Sequence, residues 1–337
     1  GYEVTGSKAD GAIVAIAEAK SVNAVLDKTA KEVSVTFGSD FESGHLIMMA
    51  TDLDKVTVLR PVFFDKARDT KVLISTADEL VRFAKGVNAQ DGSENMEVYL
   101  EKDIDLTSVK DWTPIGNGTF SGTAVSGSAF KGTFYGQNHT IKGLKMTVAS
   151  DAPAGTACGL FGVLYGAMVK DVNIGEGSSL SSSSSKLTSG GAIAGAVVNS
   201  TVDHCSSSAS FDISGGADNV SQRFGGVAGS VFSQGEILSQ VVNCSNFGSF
   251  KSVNTVNTKN GGTAFSIGGV VGYAESASSA LRVLVKACDN YGEMNVQASR
   301  NAGVVATLNK NATVEGCKNY ADITNTDTKA SNTRGAG

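Results

Sequence analysis

The chain has 337 residues, of which 41% are hydrophobic and 18% charged, with 40 Gly, 3 Pro and a formal net charge of −5. The apolar share excludes a disordered chain, and an acidic balance without any basic block excludes a nucleic-acid partner. No apolar run approaches the roughly 18–20 residues that span a bilayer, which leaves a loop-rich β composition with room for one long domain and a small one.

Residues 1–72 read as a small antiparallel β domain. Val33, Val35 and Phe37 alternate with polar residues, as do Val56 and Val58, while Leu46–Met49 is a continuous apolar run. Turns are expected at Gly38–Asp40 and Glu42–Gly44, and Ala12–Ala19 is ambiguous between strand and helix. The chain starts at Gly1 with neither Met nor a signal segment, which points to a mature or trimmed protein.

A helix follows. Ser75 and Thr76 precede Asp78 and Glu79 in the pattern of a capping box, and Ala77, Leu80, Val81, Ala84 and Val87 recur at helical spacing. Gly86 marks the stop, so the pattern predicts a helix over 77–86. One amphipathic helix ahead of a β stack would cover its open end and unpaired edges. Val98–Leu100 and Ile104–Leu106 then read as strands, and Trp112–Gly116 as a turn with a bulky apolar anchor.

From there a Gly-rich run recurs five times, at Gly159–Gly162, Ala192–Gly195, Gly226–Gly229, Gly269–Gly272 and Gly303–Ala306. Each is followed by Val-x-x-(Val or Cys): Val169/Val172, Val202/Cys205, Val241/Cys244, Val285/Cys288 and Val314/Cys317. Successive runs begin 33, 34, 43 and 34 residues apart. A period near 34 marks stacked repeats, in which each unit buries its apolar face only against its neighbours. Side chains alternate along a strand, so two inward residues three apart need a corner between them. The expected fold is all-β: a right-handed parallel β-helix over 73–337 with an N-terminal capping helix, preceded by the small antiparallel domain. Arg334–Gly337 repeats the phase of Arg300–Gly303, so the chain is expected to stop mid-repeat, cut from something longer.

Four of the five cysteines, Cys205, Cys244, Cys288 and Cys317, share one repeat position whose first occupant is Val172. Exchange of Val for Cys marks an interior position, where free Cys behaves as a small hydrophobe. Stacked reduced thiols are expected, rather than disulfides or zinc, since neither CxxC nor clustered His accompanies them.

Site candidates are few. Asp103 and Asp105 lie at strand spacing on one face and could seat calcium, although a solvent-facing strand edge is the plainer expectation. His139 sits in a turn with Asn138, which suits a structural role. His204 follows Asp203, but neighbours on a strand face opposite ways, which argues against an acid–base pair. Asp171, Asp203, Asp289 and Asp322 are scattered, and no repeat position is expected to collect charges. Neither His-Glu-x-x-His nor a phosphate-binding Gly-rich loop is present. Phe247, Tyr291 and Tyr320 recur after Cys-x-Asn, with Asn246, Asn290 and Asn319 as a second series. Facing inward, the aromatic series is ordinary core; facing outward, it is a flat platform for a sugar. A structural ladder is the favoured reading, with these three rings as weak ligand-binding candidates.

Ile74–Leu80, Asp103–Leu106, Trp112–Gly116, Phe130–Phe134, Gly136–Ile141 and Gly159–Gly162 together resemble the leader and repeats of GLUG-motif surface proteins. The resemblance covers about residues 72–337 and leaves the first 70 outside it. These are cell-surface β-helix proteins, common in Bacteroides-type bacteria and also found beside the catalytic part of immunoglobulin A proteases. The resemblance implies a secreted lipoprotein on the outer face of the cell surface, contacting a host or dietary glycan, or a matrix or surface protein. Membrane contact is then only through an N-terminal lipid anchor absent from this sequence. It supplies no catalytic residue and no cofactor, so the chain is expected not to be an enzyme; a polysaccharide-active β-helix enzyme, or a carbohydrate-binding partner of one, is the alternative.

Overall fold

The computed structural model describes residues 71–89, 92–215, 220–254, 265–277 and 282–326, together with the backbone of the strands before residue 66 and of Arg334–Ala336. The chain divides into two compact units, Gly1–Val72 and Leu73–Gly337. In the first, Ala12–Ile16, Ser43–Asp52 and Lys55–Asp65 form an antiparallel sheet, and Val22–Asp27 pairs antiparallel with Glu32–Phe37. The ambiguous Ala-rich segment holds a strand, and Ser43 and Gly44 open a strand instead of closing a turn. Residues 38–42, the rest of the two expected turns, lie outside the described residues, as does Gly337.

The second unit is a parallel β-helix. One coil runs through Thr156–Cys158, Phe161–Tyr165, Met168–Lys170, Asn173–Ile174 and Ser179–Ser182. Each strand pairs in parallel with its counterpart in the next coil, at Thr188–Gly191, Ala194–Val198, Thr201–Asp203, Ser206–Ser207 and Ser210–Gly215. The Gly-rich run turns the chain between the first two strands of a coil. A Cβ on Gly195 would lie 2.3 Å from the Cys158 backbone nitrogen, so only Gly lets successive coils approach this closely.

The corner required by the Val-x-x-(Val or Cys) spacing has a clear physical form. The residue before each Val or Cys is left-handed: Asp171, His204, Asn243, Ala287 and Gly316 have φ of 55°, 50°, 55°, 51° and 61°. One left-handed residue reverses the alternation, and both flanking side chains then point inward. Val169, Val172, Val202, Cys205, Val241, Cys244, Val285 and Cys288 are all buried. All five cysteines are unbridged. The Cys205, Cys244 and Cys288 thiols lie 3.1–3.3 Å from the carbonyls two residues earlier. That contact, which Val cannot make, accounts for Cys at the corner.

The helix spans Ala77–Ala89 and buries Leu80, Ala84 and Val87. Its first turn is capped as expected: the Glu79 carboxylate accepts from the Ser75 and Thr76 amides at 2.8 and 3.1 Å, and the Glu79 amide donates to Thr76 Oγ1. Phe83 meets Phe130 edge-on at 6.0 Å, docking the helix on the first coils. The helix continues past Gly86 because Asn88 is committed to the coil. Its Oδ1 accepts from the Gly116 and Asn117 amides and its Nδ2 donates to the Pro114 carbonyl, fixing the last turn.

Candidate functional site

The strand after each corner places one residue inward and the next outward. At the inward position stand Ile104, Ile141 and Ile174 in the first coils, then Ser207, Asn246, Asn290 and Asn319. Asn246 and Asn290 are fully buried. Asn246 Nδ2 donates to Asn290 Oδ1 at 2.8 Å, and Asn290 Nδ2 donates to Asn319 Oδ1 at 2.8 Å. Asn246 and Asn290 also accept from the Gly248 and Gly292 amides, and they donate to the carbonyls of the same residues. The amides thus link coil to coil while pinning the chain just beyond the outward residue.

That outward residue is aromatic. Phe247, Tyr291 and Tyr320 are 52%, 43% and 55% exposed. Phe247 and Tyr291 stack at 5.0 Å and 7°, and Tyr291 and Tyr320 at 4.7 Å and 4°. The series therefore faces solvent and is not core. Nor is it the flat platform an outward series suggests. Parallel rings this close overlap face to face, so the stack presents ring edges and two hydroxyls, and only its ends offer whole faces. Asp289 and Lys318 flank it; the Tyr320 hydroxyl beside Lys318 raises the ammonium above its ordinary pKa.

Asp103 and Asp105 are each already engaged. Asp103 accepts from the Thr140 amide at 2.8 Å and meets His139 Nδ1 at 3.2 Å. Asp105 accepts from the Thr107 amide and hydroxyl and pairs with Lys142 at 3.1 Å. The Thr107 bonds and Lys142 hold the Asp105 carboxyl at about 2. Among the described residues no group of three or more His, Cys, Asp or Glu could hold a metal ion. Asp105 secures its own local turn, and Asp103 ties its strand end to the His139–Thr140 turn of the next coil.

His204 and Asp203 do come together, with Nδ1 2.6 Å from Oδ1. The strand rule fails here because His204 occupies the left-handed corner and not the strand. Asn243 Nδ2 also donates to Asp203, at 2.9 Å.

Repeat positions do collect charge, contrary to expectation: Lys170, Asp203, Lys286 and Glu315 share one ladder, and arginines share another. Ser189, Arg223, Ser266, Arg300 and Arg334 are successive partners in one sheet. The signal was in the sequence, since Arg223, Arg300 and Arg334 each stand three residues before a Gly of repeat phase. Arg223 is 8% exposed, and its Cζ lies 3.8 Å over the Tyr273 ring. Neither its Nε nor its Nη1 has a hydrogen-bond partner. The nearby Glu275 carboxylate accepts from the Tyr273 hydroxyl. Burial pulls the Arg223 pKa below its usual value. Elsewhere, an open cleft of about 340 Å³ is lined by Ala124, Val125, Lys131, Tyr165 and Gln234.

No helix among the described residues is long and apolar enough to cross a membrane. No protein-family model and no curated protein matches the chain. Two solved structures resemble it. One is a Bacteroides ovatus protein whose name proposes it as an immunoglobulin A1 protease, with 18% identity and a TM-score of 0.45 over 78% of this chain and 82% of that one. The other, named IgA1 protease, has 13% identity and a TM-score of 0.29 over 94% of this chain and 27% of that one. The chain thus spans about a quarter of the second protein's length. Both names are those of a protease, which overturns the expectation that the chain is not an enzyme. At these scores the likeness transfers neither a substrate nor a mechanism.

Proposed function

We propose that the β-helix presents the stack of Phe247, Tyr291 and Tyr320 as a glycan contact surface on the outside of a cell. The observation that carries this reading is the exposure of three aromatic rings on one stripe, held in register from beneath by the buried amide series. Left in water without a partner, that apolar area is unfavourable; a sugar matches it with C–H groups and matches the flanking hydroxyls and charges with its own hydroxyls. A rigid scaffold also limits the ordering cost of binding.

A glycan array followed by titration with soluble oligosaccharides tests this. Wild type should bind at least one glycan class, and Phe247→Ala/Tyr291→Ala/Tyr320→Ala should lose at least tenfold in affinity without a change in melting. Binding of a matrix protein alone, or equal binding by the triple variant, would reject it. Reducing ends released in the same samples would identify turnover of the bound polysaccharide.

A further inference from the structure

Backbone bonds fix the outward position occupied by the aromatic stack in every coil. Gly175 N–H donates to the Ile141 carbonyl at 2.8 Å, and Ser208 N–H to Ile174 at 2.8 Å. Phe247, Tyr291 and Tyr320 donate in the same way to Ser207, Asn246 and Asn290, at 2.7, 2.7 and 2.8 Å. Lys142 holds the place one coil before Gly175, since Thr140 and Ile141 pair with Asn173 and Ile174. The outward series therefore reads Lys142, Gly175, Ser208, Phe247, Tyr291, Tyr320.

The two residues before Phe247 are the smallest in the series. One face of the Phe247 ring is covered by Tyr291, and the other looks over the hydroxymethyl group of Ser208 toward Gly175, above which Thr140 Cγ2 stands 2.5 Å from where a Cβ would lie. At ~4.8 Å per coil, the gap from the Lys142 backbone to that of Phe247 is about 14 Å. Its flank is the outward position two residues earlier, Thr140, Asn173 and Ser206, with Ser206 Oγ donating to Asn173 Oδ1 at 2.7 Å. Lys142 at the far wall is neutralised by Asp105 at 3.1 Å. The notch thus has one apolar wall, a low floor and a neutral polar flank.

Resting on the glycan reading above, we propose that this notch is a subsite for a single neutral pyranose, stacked by its apolar face on Phe247 with hydroxyls toward Ser206 and Asn173. A sugar ring in van der Waals contact fills about one coil spacing beyond the wall, which is the space Ser208 leaves open. The paired Lys142 offers no free cation for a phosphate or sulfate. The floor is too shallow to bury an alkyl chain, so the apolar contact available is one ring face.

Ser208→Phe would extend the stack by one ring and fill the notch while leaving the three existing rings in place. Titration of wild type with neutral methyl glycopyranosides and their oligomers should give binding that Ser208→Phe and Phe247→Ala each weaken at least tenfold. Tyr135→Ala, in the separate Tyr99–Tyr135 stack, should bind as wild type. Ser208→Leu serves if the Phe variant fails to fold, with melting curves as the check. Full binding by Ser208→Phe or Ser208→Leu, alongside loss in the triple aromatic variant, would overturn the subsite and leave the glycan surface standing. Absence of any glycan binding by wild type would remove both.

Discussion

The first coils and the later coils hold the same backbone corner by different means. At one interior position the first use Ile104, Ile141 and Ile174, and the later ones use Asn246, Asn290 and Asn319. The second interior, between the strands that flank the Gly-rich turn, mixes the two kinds of residue within single coils. Phe120, Val163, Ala196 and Phe232 belong to its apolar cluster, while Ser189, in the coil of Ala196, hydrogen-bonds Ser230, and Arg223, in the coil of Phe232, stacks on Tyr273. Isoleucine needs only volume around it. A buried amide needs a partner on each side, which ties every coil to the next and fixes their register. Exposed aromatic rings follow directly after the asparagines, where the corner is most tightly held.

The largest expected effect breaks the apolar end. Leu80→Asp sets an unpaired charge against the first coil, and a loss of more than about 4 kcal/mol should leave the protein insoluble or aggregated. A soluble variant with unchanged melting would show that the helix does not seal that end. Next, Asn290→Ile imports the first-coil residue into a later coil. It removes partners from Asn246, Asn319 and Gly292, so denaturant unfolding should show a loss of about 3–5 kcal/mol, whereas Ile141→Val should cost about 1 kcal/mol. Equal costs would mean that the two kinds of ladder are interchangeable.

Cys158 belongs to the apolar coils, and burial pushes its thiol from 9.0 up to about 12. A raised pKa in the folded state favours the neutral thiol, so its contribution is intact below about pH 9 and is lost as pH rises through about 12. Melting should therefore worsen by about 1.4 kcal/mol at pH 10, and Cys158→Ala should remove that slope. A slope that survives the substitution would place its origin in another group.

Arg223 tests the polar coils from the opposite side. Replacing a buried charge with unpaired donors by an apolar chain is neutral or stabilising, so Arg223→Met should unfold no more easily than wild type. A loss above about 2 kcal/mol would mean that the guanidinium is satisfied after all. The smallest effect is at Asp105, whose depressed pKa stabilises the fold above about pH 4 and loses that contribution as pH falls through about 2. Asp105→Asn should flatten the acid limb of the melting profile slightly, and an unchanged limb would show that the Thr107 turn adds nothing measurable.

The repeat period, the capped helix and the interior Val and Cys positions were legible in the sequence because each is a local pattern with one physical solution. A 34-residue period of short strands can bury its apolar faces only by stacking. Thr76 and Glu79 can satisfy one another only at a helix start. The arginine series was equally present and was missed because two of its neighbouring positions are serines.

Other features depended on coordinates. Whether Phe247, Tyr291 and Tyr320 faced in or out turned on which residue of each Asn–aromatic pair the corner aimed at the core, and a left-handed residue three positions before each Asn decided it. The same corner brought His204 onto Asp203 against the strand rule. The helix ran to Ala89 because Asn88 found its partners 26–29 residues away in the Pro114–Asn117 turn. The notch beside Phe247 exists only because coils of unequal length, 33 and then 39 residues from Gly175 to Ser208 to Phe247, are brought to one outward position by backbone pairing. Sequence spacing sets which residues can repeat, and pairing between coils decides which of them meet.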